Sequence, residues 1–209
     1  MSRIKTQIKD KELVQKRREQ VSQAAIRLFL EKGYHATTMR EICRESGVNR
    51  GSIYDYFPNK ADILISIYEE MMRRRLWGKG SPFRDPRSLQ KPFREFFKSV
   101  LRESWTRNRD GILILYRESD ALERKTLKRV LSIEAQYIRY LTAELKRRTG
   151  WRGSPGRLEI LANLLVFVNA FFPLRGWNLK KYDLELLLEV VADLFLRGLA
   201  KRCASPGNT

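Results

Sequence analysis

Two cysteines and one histidine are all that 209 residues offer for disulfide or metal chemistry. Two cysteines build no disulfide framework. Cys43 falls on an apolar helical face and reads as a small core residue, while Cys203 falls in a polar tail. A single histidine, His35 in a short linker, excludes a His-rich metal cluster, and we expect it on the surface. No phosphate loop and no nucleophile beside a base occur, so an enzyme is the weakest of the function classes, and no cofactor or metal is expected. Strand signals are scarce, and nearly every apolar run has helical period. The charged N-terminus lacks the apolar core of a signal peptide. No run approaches 18 consecutive apolar residues, so no membrane span is expected and the chain reads as cytoplasmic.

What is abundant is positive charge. Forty-two Lys and Arg stand against 24 Asp and Glu, a net charge of +18. A solvated basic surface and an anionic partner explain this equally well. Residues 1–60 hold 13 basic and 7 acidic residues, and residues 81–153 hold 18 and 9. The larger excess in the second window disfavours a cationic small-molecule partner and favours an anionic one, or a neutral one under a basic outer surface.

The chain therefore reads as all-α. Residues 1–10 are polar and basic, either disordered or an arm lying along phosphates or in a minor groove. A helix over 11–32 carries the stripe Val21, Ala24, Ala25, Leu28, Phe29, and Gly33 stops it. Thr38 and Glu41 form a capping box at the start of a short helix. Gly47 supplies the left-handed residue that ends it, and Asn49 caps the next helix, Arg50 to Tyr56, which Pro58 stops. Two short helices around a Gly-containing turn are the helix-turn-helix, whose second helix enters the DNA major groove. A helix over 60–77 follows, then the breaker cluster 78–86 (GKGSPFRDP). Further helices are expected over 88–107, 110–118 and 121–148. Two very apolar ones over 157–172 and 184–201 close the chain, separated by 173–183, and the tail 204–209 is expected to be disordered. A helix apolar all round needs covering all round. That suggests a homodimer in which these two helices of each protomer form a four-helix bundle; the alternative is one central core helix inside a monomer.

From Ala24 to Leu64 the sequence resembles the N-terminal domain of TetR-family transcriptional regulators. The matching residues are Ala24-Ala25, Leu28-Phe29, Gly33-Tyr34, Thr37-Thr38, Ile42, Gly47-Val48, Ile53-Tyr54, Phe57 and Lys60. Cys43, where a small residue such as alanine is usual, and Asp55-Tyr56, where a Tyr or His pair is common, depart from the pattern. The resemblance implies an α-helical dimer. It has a DNA-binding domain over 1–59 and a ligand-binding and dimerisation domain over 60–209, with the 60–77 helix as connector. It also implies a repressor released from a palindromic DNA operator by a small-molecule effector. The competing class is a constitutive DNA-binding dimer with no ligand switch.

Residue by residue, Thr38 offers a hydroxyl and nearby N–H groups to a phosphate. Asn49, Arg50, Gly51 and Ser52 open the recognition helix, and Arg50 suits a bidentate contact to guanine. Tyr54 and Tyr56 resemble the family's phosphate- and base-contacting aromatics, with packing against helix 1 as the other reading of Tyr54. Lys60 resembles the family's phosphate lysine. Arg40 and Arg44 are phosphate neighbours or a solvated face. Tyr116-Arg117 and Arg175-Gly176-Trp177, with the apolar Phe167 and Phe171, loosely resemble the acyl-CoA-sensing members, where an apolar tunnel takes the acyl chain and arginines meet the CoA phosphates. Arg117, Arg175 and Trp177 fit a buried ion pair and an interface aromatic as well.

Overall fold

The computed structural model describes residues 2–79, 81–118 and 122–203, with side chains described over 11–79, 81–118 and 122–197. Every regular element among them is a helix: α1 (Ser2–Lys32), α2 (Met39–Ser46), α3 (Arg50–Tyr56), α4 (Lys60–Trp77), α5 (Pro86–Gln90), α6 (Phe93–Trp105), α7 (Arg109–Glu118), α8 (Arg124–Thr149), α9 (Pro155–Leu179) and α10 (Leu184–Cys203). The expected tail 204–209 and the expected helix start at Ala121 lie outside the described residues. The chain packs as two units. One joins Met1–Glu70 with Ile114–Val130, and the other joins Met71–Leu113 with Leu131–Thr209. A cut between residues 59 and 60 does not coincide with these units, because Ile63, Leu64 and Ile67 of α4 are buried within the first.

In the first unit the apolar stripe of α1 becomes core: Val21, Ala24, Ala25 and Phe29 are buried, as are Ile42, Cys43, Val48, Ile53 and Phe57. Each large side chain so buried contributes about 1.5–3 kcal/mol. The basic segment at the N-terminus is part of α1, which starts at Ser2 rather than near residue 11.

In the second unit α6 packs on both α9 and α10. Phe97 stacks on Phe195 with centroids 4.8 Å apart, and Trp105 meets Phe172 at 5.5 Å. The single helix expected over 88–107 is two helices. Lys91, before Pro92, takes an extended conformation (φ −64°, ψ 150°), because the proline ring crowds the α region of the residue preceding it.

The opposite correction applies to α9. Pro173 was expected to open a loop, yet it lies inside a 25-residue helix ending at Leu179. Proline costs a helix interior about 3 kcal/mol, and packing outweighs it here. Leu158, Ala162, Leu165, Val166, Asn169, Ala170, Pro173 and Gly176 form one continuous buried stripe at helical spacing, which only an unbroken helix presents. By length and composition alone α9 would also suit a membrane span, a test that the core helix of a globular protein passes as well.

Candidate nucleic-acid interface

The helix-turn-helix is held by local chemistry at each joint. Thr38, extended at φ −108° and ψ 155°, forms the full capping box. Its Oγ accepts from the Glu41 backbone N–H at 3.3 Å, and its own N–H donates to Glu41 Oε2 at 2.9 Å. The Thr38 hydroxyl also donates to Glu41 Oε2 at 2.8 Å, so its single proton is already engaged within the cap. Lys32 pairs with the same carboxylate. That ammonium first, and the two Thr38 donors next, hold the Glu41 carboxyl down to about 2. Gly47 ends α2 at φ 66°, and a Cβ there would meet nothing within 4 Å. The demand for glycine is thus the left-handed backbone and not space. Val48 is buried, and Asn49 Oδ1 caps α3 by accepting from the Gly51 N–H at 2.8 Å.

Ile53 (0% exposed) and Phe57 (1%) pin α3 to the core. This leaves Arg50, Gly51, Tyr54 and Asp55 on one exposed arc, with Ser52 and Tyr56 half-buried beside it. Tyr54 is 48% exposed, so the solvent-facing reading holds over packing against α1. Arg40 and Arg44 of α2 are exposed as well.

Two cations brace this unit from behind. Arg18 of α1 donates through Nη1 to the Tyr56 carbonyl at 2.7 Å and lies 4.2 Å from the Phe57 ring centroid. It satisfies a carbonyl that the end of α3 leaves without a helical partner. Lys60, expected on a phosphate, instead donates to the carbonyls of Tyr34, His35 (3.2 Å) and Thr37 (2.6 Å), and sits 4.3 Å from the Tyr34 ring centroid. All three ammonium protons are engaged, and burial lowers its pKa. Its geometry is that of a clasp on the α1–α2 turn. Sequence reasoning missed Arg18, although Arg18 is three residues before Val21 and so extends the buried stripe of α1.

The segment 114–130 completes this unit. Glu118 Oε2 accepts from the Tyr34 N–H at 3.1 Å, and Arg129 pairs with Asp62 at 3.0 Å. Between them lies a cleft of about 570 Å³ bordered by Tyr34, His35, Lys60, Asp62, Glu123 and Arg129. His35 is exposed, as expected, and its ring packs edge-on to Tyr34.

The six residues expected around a ligand divide between the two units. Tyr116 and Arg117 belong to the first unit; Phe167, Phe171, Arg175 and Trp177 belong to the second, all four on α9. These four are exposed; Phe167, Phe171 and Arg175 lie on the face of α9 opposite its buried stripe, and Trp177 lies near the helix's end. Arg175 lies over the Trp177 ring at 5.1 Å, a surface pair rather than part of a tunnel.

A capped two-helix reader on an all-α scaffold defines a helix-turn-helix protein. Residues 22–67 match the model of "Bacterial regulatory proteins, tetR family". The HTH-type transcriptional regulator HbdR of Aromatoleum sp. (strain CIB) is 40% identical over 86 residues, a stretch covering 38% of each chain. The match thus spans well under half the length of that curated relative. Among solved structures, the fatty acid degradation regulator FadR from Bacillus halodurans superposes with a TM-score of 0.68 at 23% identity, covering 88% of this chain and 96% of that one. AibR, solved with isovaleryl coenzyme A and operator DNA, gives 0.62 at 17%, covering 85% and 97%. At such identities the structural likeness concerns the fold. The stretch over residues 22–67 is thus similar to the DNA-binding part of the tetR family of bacterial regulatory proteins.

Proposed function

We propose that this chain is a DNA-binding transcriptional regulator of the cytoplasm. It represses by occupying a palindromic operator as a homodimer, and it leaves the operator when a small anionic, apolar molecule binds. The observation that carries the reading is α3: capped by Asn49, pinned by Ile53 and Phe57, and presenting Arg50, Gly51 and Tyr54 outward. A helix end built this way suits the major groove, where arginine reads guanine through two hydrogen bonds. Arg40, Ser52 and Tyr56 lie beside that arc and suit phosphates. Functionally, residues 1–59 read DNA and residues 60–209 bind effector and partner, with α4 as the connector.

Two exposed apolar rows support the dimer. Ile160, Leu164, Phe167 and Phe171 line the outer side of α9, and Leu186, Val190 and Leu194 line that of α10. Rows of this length on neighbouring elements are a protein interface more often than free surface. An acyl-CoA or a related acyl acid as effector agrees with the basic excess over 81–153 and with the names of FadR and AibR among the structural neighbours.

The test is a mobility shift on DNA upstream of the chain's own gene, repeated with acyl-CoAs and free acids. We expect a shift that Tyr54→Ala weakens and that at least one acyl compound releases. Binding untouched by Arg50→Ala and Tyr54→Ala overturns the site, and retention of DNA against every compound leaves a constitutive binder.

A further inference from the structure

The centre of the outward face of α3 belongs to a carboxylate, Asp55. Successive helical residues turn by about 100°, so residues two apart point about 200° apart. Ile53 is 0% exposed and faces the core. Gly51 and Asp55, two residues to either side of it, therefore stand almost diametrically opposite the core, one helical turn apart, and both are exposed. Arg50 lies on a flank of the helix instead. Burial raises the pKa of the Cys43 thiol in α2, and the Arg50 charge opposes that rise, which puts Arg50 on the side toward α2. No ion pair or hydrogen bond of the Asp55 carboxylate occurs among the described residues.

Gly51 is not required by the fold. Its φ is not left-handed, and an added Cβ would make only ordinary contact, with Asn49 Oδ1 at 3.5 Å. A glycine weakens the helix that carries it, and it lets backbone come close to a ligand. Its missing side chain thus matters to what approaches from outside, and Asp55 is the side chain that stands beside that gap.

The chemistry of the duplex decides what a carboxylate there can meet. An ionised carboxylate only accepts hydrogen bonds. Phosphate oxygens, guanine N7 and O6, adenine N7 and thymine O4 are all acceptors and repel it. The major-groove donors are the amino groups on cytosine N4 and adenine N6. Adenine sets its N7 acceptor next to that amino group, whereas cytosine sets N4 next to an apolar C–H edge. A carboxylate at the centre of the groove-facing side therefore accepts one base and opposes the others.

We propose that Asp55 is a specificity-determining residue that accepts from the N4 amino group of a cytosine in each half-site, with Gly51 admitting α3 to the depth this contact needs. The inference rests on the DNA-reading function above and adds the base that is read. It also makes the negative charge at the reader's centre a penalty against non-cognate DNA.

The full chain selects duplexes from a randomised library, the enriched sequences are read, and affinities for duplexes differing at one base are compared by mobility shift. The parent keeps cytosine at one position of each half-site, and changing that base weakens binding about fivefold to a hundredfold. Asp55→Asn moves the preference at that position alone from cytosine to adenine, whose N6 and N7 an amide meets together. Asp55→Ala loses the preference there and binds non-cognate duplexes more tightly than the parent, since the repulsion is gone. Gly51→Ala unfolds no lower than the parent yet binds the enriched duplexes more weakly. A carboxylate that merely keeps α3 folded or solvated moves the affinity for all sequences together and leaves the preferred base unchanged. Enriched sequences that are identical for the parent, Asp55→Asn and Asp55→Ala overturn the inference and leave the DNA reader standing. So does a base other than cytosine, in the parent, at the position that Asp55→Asn alters. A Gly51→Ala chain that binds as tightly as the parent removes the close approach on which the contact depends. A parent that enriches no sequence overturns the reader and this inference together.

Discussion

Glu41 ties three groups together at the reader's first joint: the Thr38 N–H, the Thr38 hydroxyl and the Lys32 ammonium. Its folded pKa, about 2, lies below the ordinary glutamate value of 4.5. The stability it confers is therefore fully present above pH 4.5 and is lost as pH falls toward 2. Urea unfolding across that range checks this: the parent loses stability relative to Glu41→Gln as the pH drops, and the two converge near pH 2. Thr38→Ala removes the cap itself and costs about 1 kcal/mol, read by the same unfolding experiment at pH 7. Ile53→Ala empties the position that pins α3 and costs about 2–5 kcal/mol; circular dichroism melting and the DNA shift report it together. Arg18→Ala frees the Tyr56 carbonyl and uncovers Phe57, so DNA binding falls more than stability does. That comparison separates a brace on α3 from a general core role.

The register of α10 is decided by charge as well as by packing. Arg94, Lys98 and Arg102 recur every four residues along α6, and Glu185, Glu189 and Asp193 recur every four along α10. Arg94 meets Glu189 and Asp193, Lys98 meets Glu189 and, at 3.8 Å, Glu185, and Arg102 meets Glu185. The ladder is antiparallel, and it turns the row Leu186, Val190, Leu194 outward, each one residue past an acid. Exposed pairs contribute little singly, whereas a matched ladder sets orientation. Glu189→Arg lowers the unfolding temperature by placing like charges against Arg94 and Lys98, and adding Arg94→Glu restores part of the loss. Raising salt narrows both differences. Equal melting of the single and double variants removes the ladder from this account.

At the scale of the whole molecule, the exposed rows of α9 and α10 and the basic charge make separable predictions. Leu194 is 71% exposed, so replacing it by glutamate costs the folded protomer little. Leu194→Glu with Phe167→Glu yields a single-chain mass by light scattering where the parent gives a dimer, and it weakens operator binding by removing the paired readers. A double variant that stays dimeric excludes this interface. DNA affinity falls steeply with salt, since each phosphate contact releases counterions, and Arg40→Ala lowers that slope without changing which sequence is preferred.

The two-helix reader was legible because every signal in it is local. A capping box, a left-handed glycine, an Asn cap and a proline stop act within four residues, so sequence spacing alone determines them. The apolar stripes and the all-α class were legible for the same reason, as helical periodicity is a property of neighbours. The fate of Pro173 was not legible, because a buried stripe continuing to Gly176 overrides a local breaker only once α9 has something to pack against. Nor was the place of Lys60 and Arg75. A cation's partner is chosen by what other segments bring to it, here the carbonyls of the α1–α2 turn in one case and Ser104 and Tyr137 in the other. The row Leu64, Tyr68, Met71 did place Arg75 on a buried face, but only the fold put neutral acceptors around it. Sequence by itself determined helices, caps and the reader. Tertiary structure decided which charges are engaged, because long-range electrostatics depends on distances that no local pattern encodes.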